Sequence, residues 1–176
     1  LTGLLNRRSF EQRISAVRRE QPVLAVAMTD LDHFKVLNDT YGHETGDRAL
    51  RLFAQMLTES IRTQDLVCRH GGEEFVIGLP GCRSDKAREI LDALRVRLEA
   101  AITVAGLPQF TGSFGVVEAG SHEDLPSIIA RADQALFIAK REGRDRVIVL
   151  DAAGQVDRPL TEPQDGPGLD SERLLG

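Results

Sequence analysis

The sequence predicts a single α+β domain, and three kinds of segment indicate this class. A continuous apolar run at 23–28 is typical of a strand that is covered on both faces. A Gly-Gly pair at 71–72, between two apolar segments, predicts a β-hairpin. Longer segments carry apolar residues at helical spacing. The mixed order of these elements argues against an all-parallel doubly wound sheet, and 176 residues with 41% hydrophobic content suffice for one core.

The first half of the chain predicts two helices around the apolar strand. Apolar residues at helical spacing predict a helix over 6–20, which ends before Pro22. The strand at 23–28 follows directly. A longer apolar stripe then predicts a second helix over 46–62.

The second half begins with the hairpin, whose strands are predicted at 66–69 and 75–79. A helix follows with its apolar stripe over 87–101, and Ser84 or Asp85 is its expected N-cap. The remaining predicted elements are a strand at 110–118, a helix at 125–141 and a strand at 146–150.

The domain is expected to span 1–151. Residues 152–176 are rich in Gly, Pro and acidic residues, which predicts a disordered tail. The chain begins with neither a start methionine nor an apolar signal core. We therefore expect a sensory or dimerisation region upstream, in a parent protein that a membrane segment could anchor.

Composition narrows the class of protein. The net charge of −5 lacks the basic excess that duplex nucleic-acid binding needs, whereas a small anionic ligand is compatible with local basic clusters. No apolar run is long enough to cross a membrane, so we expect a cytoplasmic domain without direct membrane contact. Cys68 and Cys82 form neither a CxxC motif nor a zinc-like set, and we interpret them as ordinary thiols.

Asp30 and Asp32 follow the apolar strand and are two residues apart. If the strand continues, both carboxylates point to the same side, which suits a metal ion. An acidic pair at the end of a buried strand is more often a solvated turn. Asp30 is the better metal-ligand candidate because it lies nearer the rigid strand.

The hairpin turn supplies a second acidic pair, Glu73 and Glu74. The preceding Gly71 and Gly72 lack a Cβ atom and let the backbone approach a bulky phosphate, which makes Gly72 a candidate substrate contact. A Gly-Gly hairpin with exposed glutamates also needs no function. The conjunction of the two acidic pairs favours Mg²⁺, which prefers carboxylate oxygens and bridges to phosphates.

These motifs resemble the GGDEF family of diguanylate cyclases, because residues 71–75 spell its common GGEEF form. The resemblance spans residues 1 to about 150. Two departures are small: the acidic residue expected before Leu1 lies outside the sequence, and His33 stands where an aromatic residue is common. The other motifs in register are LTGL at 1–4, NRR at 6–8, DLDHFK at 30–35, ND at 38–39, YGH at 41–43, GD at 46–47, SFGV at 113–116, ADQAL at 132–136, AK at 139–140 and GR at 143–144.

The resemblance implies a mainly antiparallel sheet flanked by helices, like the adenylyl-cyclase and polymerase-palm core with its ferredoxin-like arrangement. It also implies two Mg²⁺ or Mn²⁺ ions per active site. Asp30, the Leu31 carbonyl and Glu73 would bind the metals, and Glu73 would accept the proton of the attacking hydroxyl. Glu74 is a second, weaker catalytic candidate. Lys35 would stabilise charge in the transition state.

The resemblance further implies how GTP binds. Backbone N–H groups near His33 and Phe34, with Lys35, Lys140 and Arg144, would hold the triphosphate.

Guanine would be recognised by Asn38 and Asp47, since a carboxylate can accept from its N1–H and exocyclic amine together. His43 is expected nearby. Ordinary structural roles are a turn for Asn38 and a helix start for Asp47.

The implied reaction condenses two GTP molecules into cyclic di-GMP. Because one domain binds one GTP, an antiparallel homodimer would be needed. A rival hypothesis is a catalytically silent domain that binds GTP or cyclic di-GMP. The intact site residues argue against it, and the acidic composition argues against a polymerase-like enzyme acting on nucleic acid.

Arg62 and Asp65 match the family's inhibitory RxxD motif, five residues before the signature. The pair suits guanine, to which an Arg can donate two parallel hydrogen bonds. The alternative is structural: Arg62 complements a helix dipole and Asp65 begins a turn. Many relatives carry a second product-binding arginine where this chain has Ala93, with Arg95 and Arg97 only nearby.

Overall fold

Residues 1–157, the part of the chain that the computed structural model describes, form five strands and five helices. In chain order they are α1 (Arg7–Glu20), β1 (Leu24–Leu31), α2 (Phe34–Tyr41), α3 (His43–Ser60), β2 (Leu66–Gly71), β3 (Glu74–Pro80), α4 (Ser84–Val104), β4 (Gly112–Glu118), α5 (Leu125–Arg141) and β5 (Val147–Leu150).

The strands form one sheet in the order β2-β3-β1-β4-β5. β1 pairs antiparallel with both β3 and β4, and β2 pairs antiparallel with β3. Among the pairings between the five described strands, only that of β4 with β5 is parallel. The predicted α+β class with a mainly antiparallel sheet is therefore confirmed.

Helices cover both faces of the sheet, so β1 is buried along its whole length. Ala25 and Ala27 face the larger core, which α3 and α4 close. Val26 and Met28 face the second core, beneath α1 and α5. This two-sided burial explains why β1 has a continuous apolar sequence instead of an alternating one.

Close packing of α5 on β4 depends on Gly115. A Cβ atom at this position would lie 2.1 Å from the Leu136 nitrogen and 2.3 Å from the Ala132 carbonyl oxygen. The glycine thus lets the helix backbone approach the strand, and this contact sets where the C-terminal end of α5 lies relative to β1.

The structure differs from the sequence predictions in several places. The 8-residue helix α2 was not predicted, and α3 begins at His43 instead of residue 46. The N-cap of α4 is Arg83, so the prediction of Ser84 or Asp85 is wrong: both lie within the first turn.

The predicted tail at 152–176 lies mostly outside the described residues. Its first part, 152–157, forms a turn instead, in which Val156 makes an antiparallel bridge with Leu150. Across 1–157, no helix combines the length and apolar character of a membrane span.

Candidate active site

The two acidic segments meet at one end of the sheet. Asp30, near the end of β1, stands opposite Glu74, the first residue of β3. Glu73 lies with Gly72 in the turn between β2 and β3, where Gly72 has a positive φ of 40°. Arg69 Nε donates to the Gly72 carbonyl oxygen at 2.7 Å and braces this turn.

Asp30 lies among like charges. It is only 6% exposed, and burial raises its pKa from 3.8 to about 6. The Lys140 ammonium, whose Nζ lies 2.9 Å from Asp30 Oδ2, opposes that shift in pKa, whereas Glu73 and Glu74 add to it. The ionised carboxylate is thus unfavourable in the free protein, and a bound divalent cation would relieve this repulsion.

These donors fit a hard cation. Asp30 and Glu73 offer carboxylate oxygens, and the Leu31 carbonyl lies at the end of the same strand. Within residues 1–157, no three His, Cys, Asp or Glu side chains lie close enough together to bind a metal ion without other ligands. Mg²⁺ does not require such a cage, because it keeps several waters and bridges to substrate phosphates, and Mn²⁺ accepts the same oxygen donors.

The start of α2 offers main-chain donors beside the acidic cluster. His33, which is exposed, adopts the left-handed conformation (φ 56°, ψ 28°), and the Leu37 N–H donates to its carbonyl oxygen at 3.0 Å. The N–H groups of Phe34 and Lys35 belong to the first helical turn, which leaves such donors free for an anion. The exposed Lys35 side chain adds a positive charge at the same helix end.

Asn38 packs against a glycine in the neighbouring helix. Its Oδ1 atom is buried, and no donor within the described residues reaches it. A Cβ atom on Gly46 would lie 1.8 Å from this oxygen, so only glycine leaves room for the amide. Asp47 follows, half-exposed and 4.0 Å from Arg51, while His43 is exposed at the start of α3. A buried acceptor without a partner is costly, so the packing of Asn38 against Gly46 leaves its amide oxygen unsatisfied in the free protein.

The chain turns sharply between α5 and β5. Gly143, Arg144 and Asp145 all have positive φ values of 115°, 65° and 46°. The Arg144 N–H donates to the Ala139 carbonyl at 2.9 Å, which closes the end of α5. This turn holds Arg144 beside the last turn of α5, where Lys140 reaches Asp30.

Asp32, unlike Asp30, has a carboxylate whose two oxygens both accept hydrogen bonds from within the protein. Its Oδ1 accepts from Ser113 Oγ at 2.7 Å, and its Oδ2 accepts from Thr111 Oγ1 at 2.7 Å and from the Asp145 N–H at 3.1 Å. Of the two acidic residues that follow the apolar run, only Asp30 faces the glutamates.

Arg62 and Asp65 bind each other. The Asp65 side chain is fully buried, and Arg62 donates to it from its backbone N–H at 2.8 Å and from Nε and Nη2 at 3.3 Å. Arg62 Nη2 also donates to the Pro80 carbonyl at 3.2 Å. The Arg62 side chain remains half-exposed, so it can still contact a ligand.

This pair lines a cavity of about 840 Å³. Arg83 and Lys86 also line it and add positive charge. Arg97 Nη2 donates at 2.6 Å to Ser60 Oγ, and Ser60 is another residue of the cavity wall, whereas Arg95 points elsewhere and pairs with Asp92 and Asp145.

The comparison with known families decides the membership of the chain. Residues 1–146 match the family described as "Diguanylate cyclase, GGDEF domain". The chain belongs to the GGDEF family.

Named relatives and solved structures agree with this assignment. The chain is 40% identical over 152 residues to diguanylate cyclase DgcM of Escherichia coli K12 and 39% identical over 155 residues to diguanylate cyclase DgcP of Pseudomonas aeruginosa. Its structure resembles the GGDEF domain of Caulobacter crescentus DgcB in complex with c-di-GMP, with a TM-score of 0.76, 30% identity and coverage of 84% of this chain and 92% of that one. A Vibrio cholerae GGEEF domain described as active gives a TM-score of 0.74 at 31% identity, over 83% and 97% of the two chains.

The matched region is one part of longer relatives. It covers 84% of this chain but 37% of DgcM, and 85% of this chain but 23% of DgcP. The likeness therefore concerns the GGDEF domain alone.

The roles of Gly46 and Asp32 were not predicted from the sequence of this GGDEF domain. A glycine within a helical segment lowers helix stability by about 1 kcal/mol relative to alanine, and its presence in α3 is a signal of close packing. No comparable signal marks Asp32, because its hydroxyl donors Thr111 and Ser113 lie 79 and 81 residues away along the chain.

Proposed function

We propose that this GGDEF domain is a diguanylate cyclase that condenses two GTP molecules into cyclic di-GMP and releases two pyrophosphates. The observation that carries this proposal is the cluster of Asp30, Glu73 and Glu74, in which Asp30 is paired with Lys140, next to the donors of α2. Likeness to relatives named diguanylate cyclases supports the same activity.

Glu73 is the proposed general base. It accepts the proton of a 3′-hydroxyl as the 3′-oxygen forms a bond to the α-phosphorus of the second GTP and the bond to pyrophosphate breaks. The same exchange then occurs in the opposite direction and closes the ring. Placement in the hairpin turn keeps Glu73 half-buried and lets its carboxylate reach substrate.

Asp30, the Leu31 carbonyl and Glu73 are the proposed ligands of two Mg²⁺ or Mn²⁺ ions, with Glu74 as a second acidic neighbour. Bound cations would neutralise the phosphate charge and favour departure of pyrophosphate. Lys140 offsets part of the negative charge at Asp30 while the site is free. When a nucleotide binds, the Lys140 ammonium can move from Asp30 to a phosphate oxygen of the nucleotide.

The triphosphate is proposed to lie over the start of α2. N–H groups near His33 and Phe34 donate to phosphate oxygens, and Lys35, Lys140 and Arg144 supply positive charge from two sides. Gly72 allows close approach of the hairpin turn to the phosphates because it has no side chain.

Guanine is proposed to bind between α2 and α3. The half-exposed Asp47 carboxylate accepts from the guanine edge, with His43 nearby. The Asn38 amide contacts the same edge once it turns away from Gly46, because its Oδ1 is buried in the free protein. Adenine presents no donor at N1, so Asp47 favours GTP over ATP.

The complete reaction needs two domains that face each other, each with one GTP. We therefore propose an antiparallel homodimer as the catalytic state. A further part of the proposal is that cyclic di-GMP inhibits the enzyme in the cavity beside Arg62. Arg62 offers its exposed edge there, and a guanine contact to Asp65 requires that the present pair opens.

The direct test incubates concentrated protein with GTP and Mg²⁺ and separates the products by chromatography. Formation of cyclic di-GMP from GTP, with no cyclic dinucleotide from ATP, is the expected result. Binding of GTP or cyclic di-GMP without any turnover, at concentrations that produce dimers, would instead favour the silent binding domain.

A further inference from the structure

Asp32 has an environment that suits a structural carboxylate. It is 3% exposed, and its two oxygens accept three hydrogen bonds from donors in two other segments of the chain. Its own N–H donates to the Thr111 carbonyl at 2.9 Å. Three of the roughly four acceptor positions of this buried carboxylate are thus occupied, which leaves little capacity for a metal ion.

Two of the three segments that Asp32 joins border the proposed triphosphate site, and the third lies beside β1. Asp32 itself directly precedes His33 and the first turn of α2. Ser113 lies at the start of β4, next to β1 in the sheet, and Thr111 directly precedes that strand. The Asp145 N–H belongs to the turn that carries Arg144.

Two of these segments have backbone conformations that side-chain residues rarely adopt. His33, Arg144 and Asp145 all have positive φ values of 56°, 65° and 46°. Such conformations cost energy in non-glycine residues and persist where surrounding contacts hold them. Asp32 supplies the contact that links the two strained segments, through its backbone to His33 and through Oδ2 to Asp145.

A second contact supports the same turn from outside. Arg95 on α4 lies 3.2 Å from the Asp145 carboxylate and 3.3 Å from Asp92. The Asp145 main chain is therefore held by Asp32 and its side chain by Arg95, so that the Arg144 position is supported from two directions.

We infer that Asp32 is a positioning residue, which holds the first turn of α2 and the Arg144 turn in the arrangement that binds a nucleotide triphosphate. It does not act as a metal ligand. This inference rests on the proposed function only for the identity of the ligand, a guanosine triphosphate.

The chemistry of the partners provides a discriminating substitution. Asp32→Asn can place its amide oxygen at Oδ2, toward Thr111 and the Asp145 N–H, and its NH₂ group toward Ser113. The Ser113 hydroxyl can rotate and accept, so all three hydrogen bonds survive while the negative charge is lost. Asp32→Ala removes all three. A metal ligand would behave differently, because it needs the charge.

The experiment measures binding by calorimetry, with a GTP analogue whose α,β bridge cannot be cleaved and with GMP, in the presence of Mg²⁺. Asp32→Ala should weaken binding of the triphosphate about tenfold and leave GMP binding unchanged. Asp32→Asn should restore the triphosphate affinity and the Mg²⁺ dependence. Asp30→Asn, the matched variant two residues earlier, should lose the Mg²⁺ dependence.

Two results would overturn the inference. One is a loss of Mg²⁺ dependence in Asp32→Asn as complete as in Asp30→Asn, and the other is wild-type triphosphate affinity in a folded Asp32→Ala protein. If Asp32→Ala does not fold, the pair of asparagine variants still decides between the roles, and Arg95→Met should weaken triphosphate binding about threefold without affecting GMP. Unchanged triphosphate affinity in Arg95→Met would then contradict the positioning role.

Because the readout is binding, a wild-type protein that binds the analogue but makes no cyclic di-GMP would refute the cyclase proposal alone.

Discussion

Asp30 and Asp65 are both buried carboxylates with one basic partner, yet their surroundings differ in a way that separates a reactive site from a structural one. Asp30 has the Lys140 ammonium as its partner but lies near the like charges of Glu73 and Glu74, and burial raises its pKa to about 6. Asp65 accepts three hydrogen bonds from Arg62 alone.

The difference lies in how much of each carboxylate is left unsatisfied. Asp65 gains from its contacts in the free protein, whereas Asp30 costs the fold free energy at neutral pH. A carboxylate that is held in an unfavourable state is a candidate for ligand binding, because the ligand can supply what the protein does not. Substitution of Asp30 should therefore raise stability at the expense of metal binding. Substitution of Asp65 should lower stability and leave turnover near wild type.

The largest effect is expected at the turn beside Asp30. Glu73→Gln removes the proposed base and one metal-ligating charge, and should reduce turnover about 10³-fold or more, worth several kcal/mol. The measurement is the rate of cyclic di-GMP formation from GTP. Glu59→Gln, an exposed position on α3, is the matched control and should keep the wild-type rate. A Glu73→Gln protein that is as fast as the control would refute the role of Glu73.

The next largest effect is a gain in stability. Asp30 has a folded-state pKa of about 6, above its ordinary 3.8, so the folded protein favours the protonated form. The stability that Asp30 contributes is complete below pH 3.8 and is lost as the pH rises through about 6. Over this range the loss amounts to about 3 kcal/mol, at about 1.4 kcal/mol for each pKa unit.

Asp30→Asn has no charge to lose. Without divalent cations it should be more stable than wild type by up to about 3 kcal/mol at pH 7.5 and about equal to it near pH 4. Denaturant unfolding at the two pH values measures this, with the exposed Asp39→Asn as the control for net charge. Mg²⁺ should stabilise wild type and not Asp30→Asn. The account would be contradicted if the gain in stability of Asp30→Asn over wild type were smaller at pH 7.5 than at pH 4.

Asp65 should show the opposite sign. Asp65→Asn leaves the Arg62 backbone N–H and guanidinium with a neutral partner in a fully buried position, and should lower the free energy of unfolding by about 2 kcal/mol. Catalytic turnover without product should stay near wild type, because Asp65 lies outside the acidic cluster. The same denaturant experiment at pH 7.5 measures the change, and an increase in stability would remove the contrast between the two sites.

Asp47 is a third case, a half-exposed carboxylate with only a 4.0 Å contact to Arg51. Asp47→Ala should cost little stability and reduce the preference for GTP over ATP roughly tenfold, about 1–2 kcal/mol, because guanine donors lose one acceptor. Competition binding with the two nucleotides measures the preference. Equal discrimination in the variant and in wild type would show that guanine is recognised elsewhere.

The parts of the fold with strong apolar patterns were predictable from the sequence. The helix predicted at 125–141 has the observed bounds of α5, and the apolar run at 23–28 lies almost wholly within β1. The helix α2 was not predicted because it buries only Leu37, while Val36 and Tyr41 are more than half exposed. A helix that contributes so little to the core leaves no periodic apolar stripe.

The candidate site was predictable as a set of residues but not as an arrangement. Motif spacing brought Asp30 and Glu73 into one hypothesis, and the register of β1 with β3 places their segments side by side. The contact of Lys140 with Asp30 depends on how α5 packs across the sheet, and the saturation of Asp65 depends on the path of the chain after α3. Both are properties of tertiary packing that local sequence does not encode.

The smallest expected effect concerns product binding, and it tests whether the Arg62–Asp65 pair has a function beyond structure. The exposed edge of Arg62 and the positive charges of Arg83 and Lys86 suit a guanine dinucleotide with two phosphates. Arg62→Ala should weaken cyclic di-GMP binding about tenfold and relieve inhibition, while turnover without product continues. Because this change also removes the guanidinium partner of Asp65, Arg62→Lys is the better-folded companion: it keeps a cation for Asp65 but cannot donate two parallel bonds to guanine. Arg8→Ala, at an exposed position on α1, is the control.

Since Arg97 reaches the cavity wall at Ser60 and Arg95 does not, Arg97→Ala should add to the loss of binding where Arg95→Met does not. Calorimetry that gives Arg62→Lys and Arg62→Ala the wild-type affinity for cyclic di-GMP would leave the pair with a structural role alone.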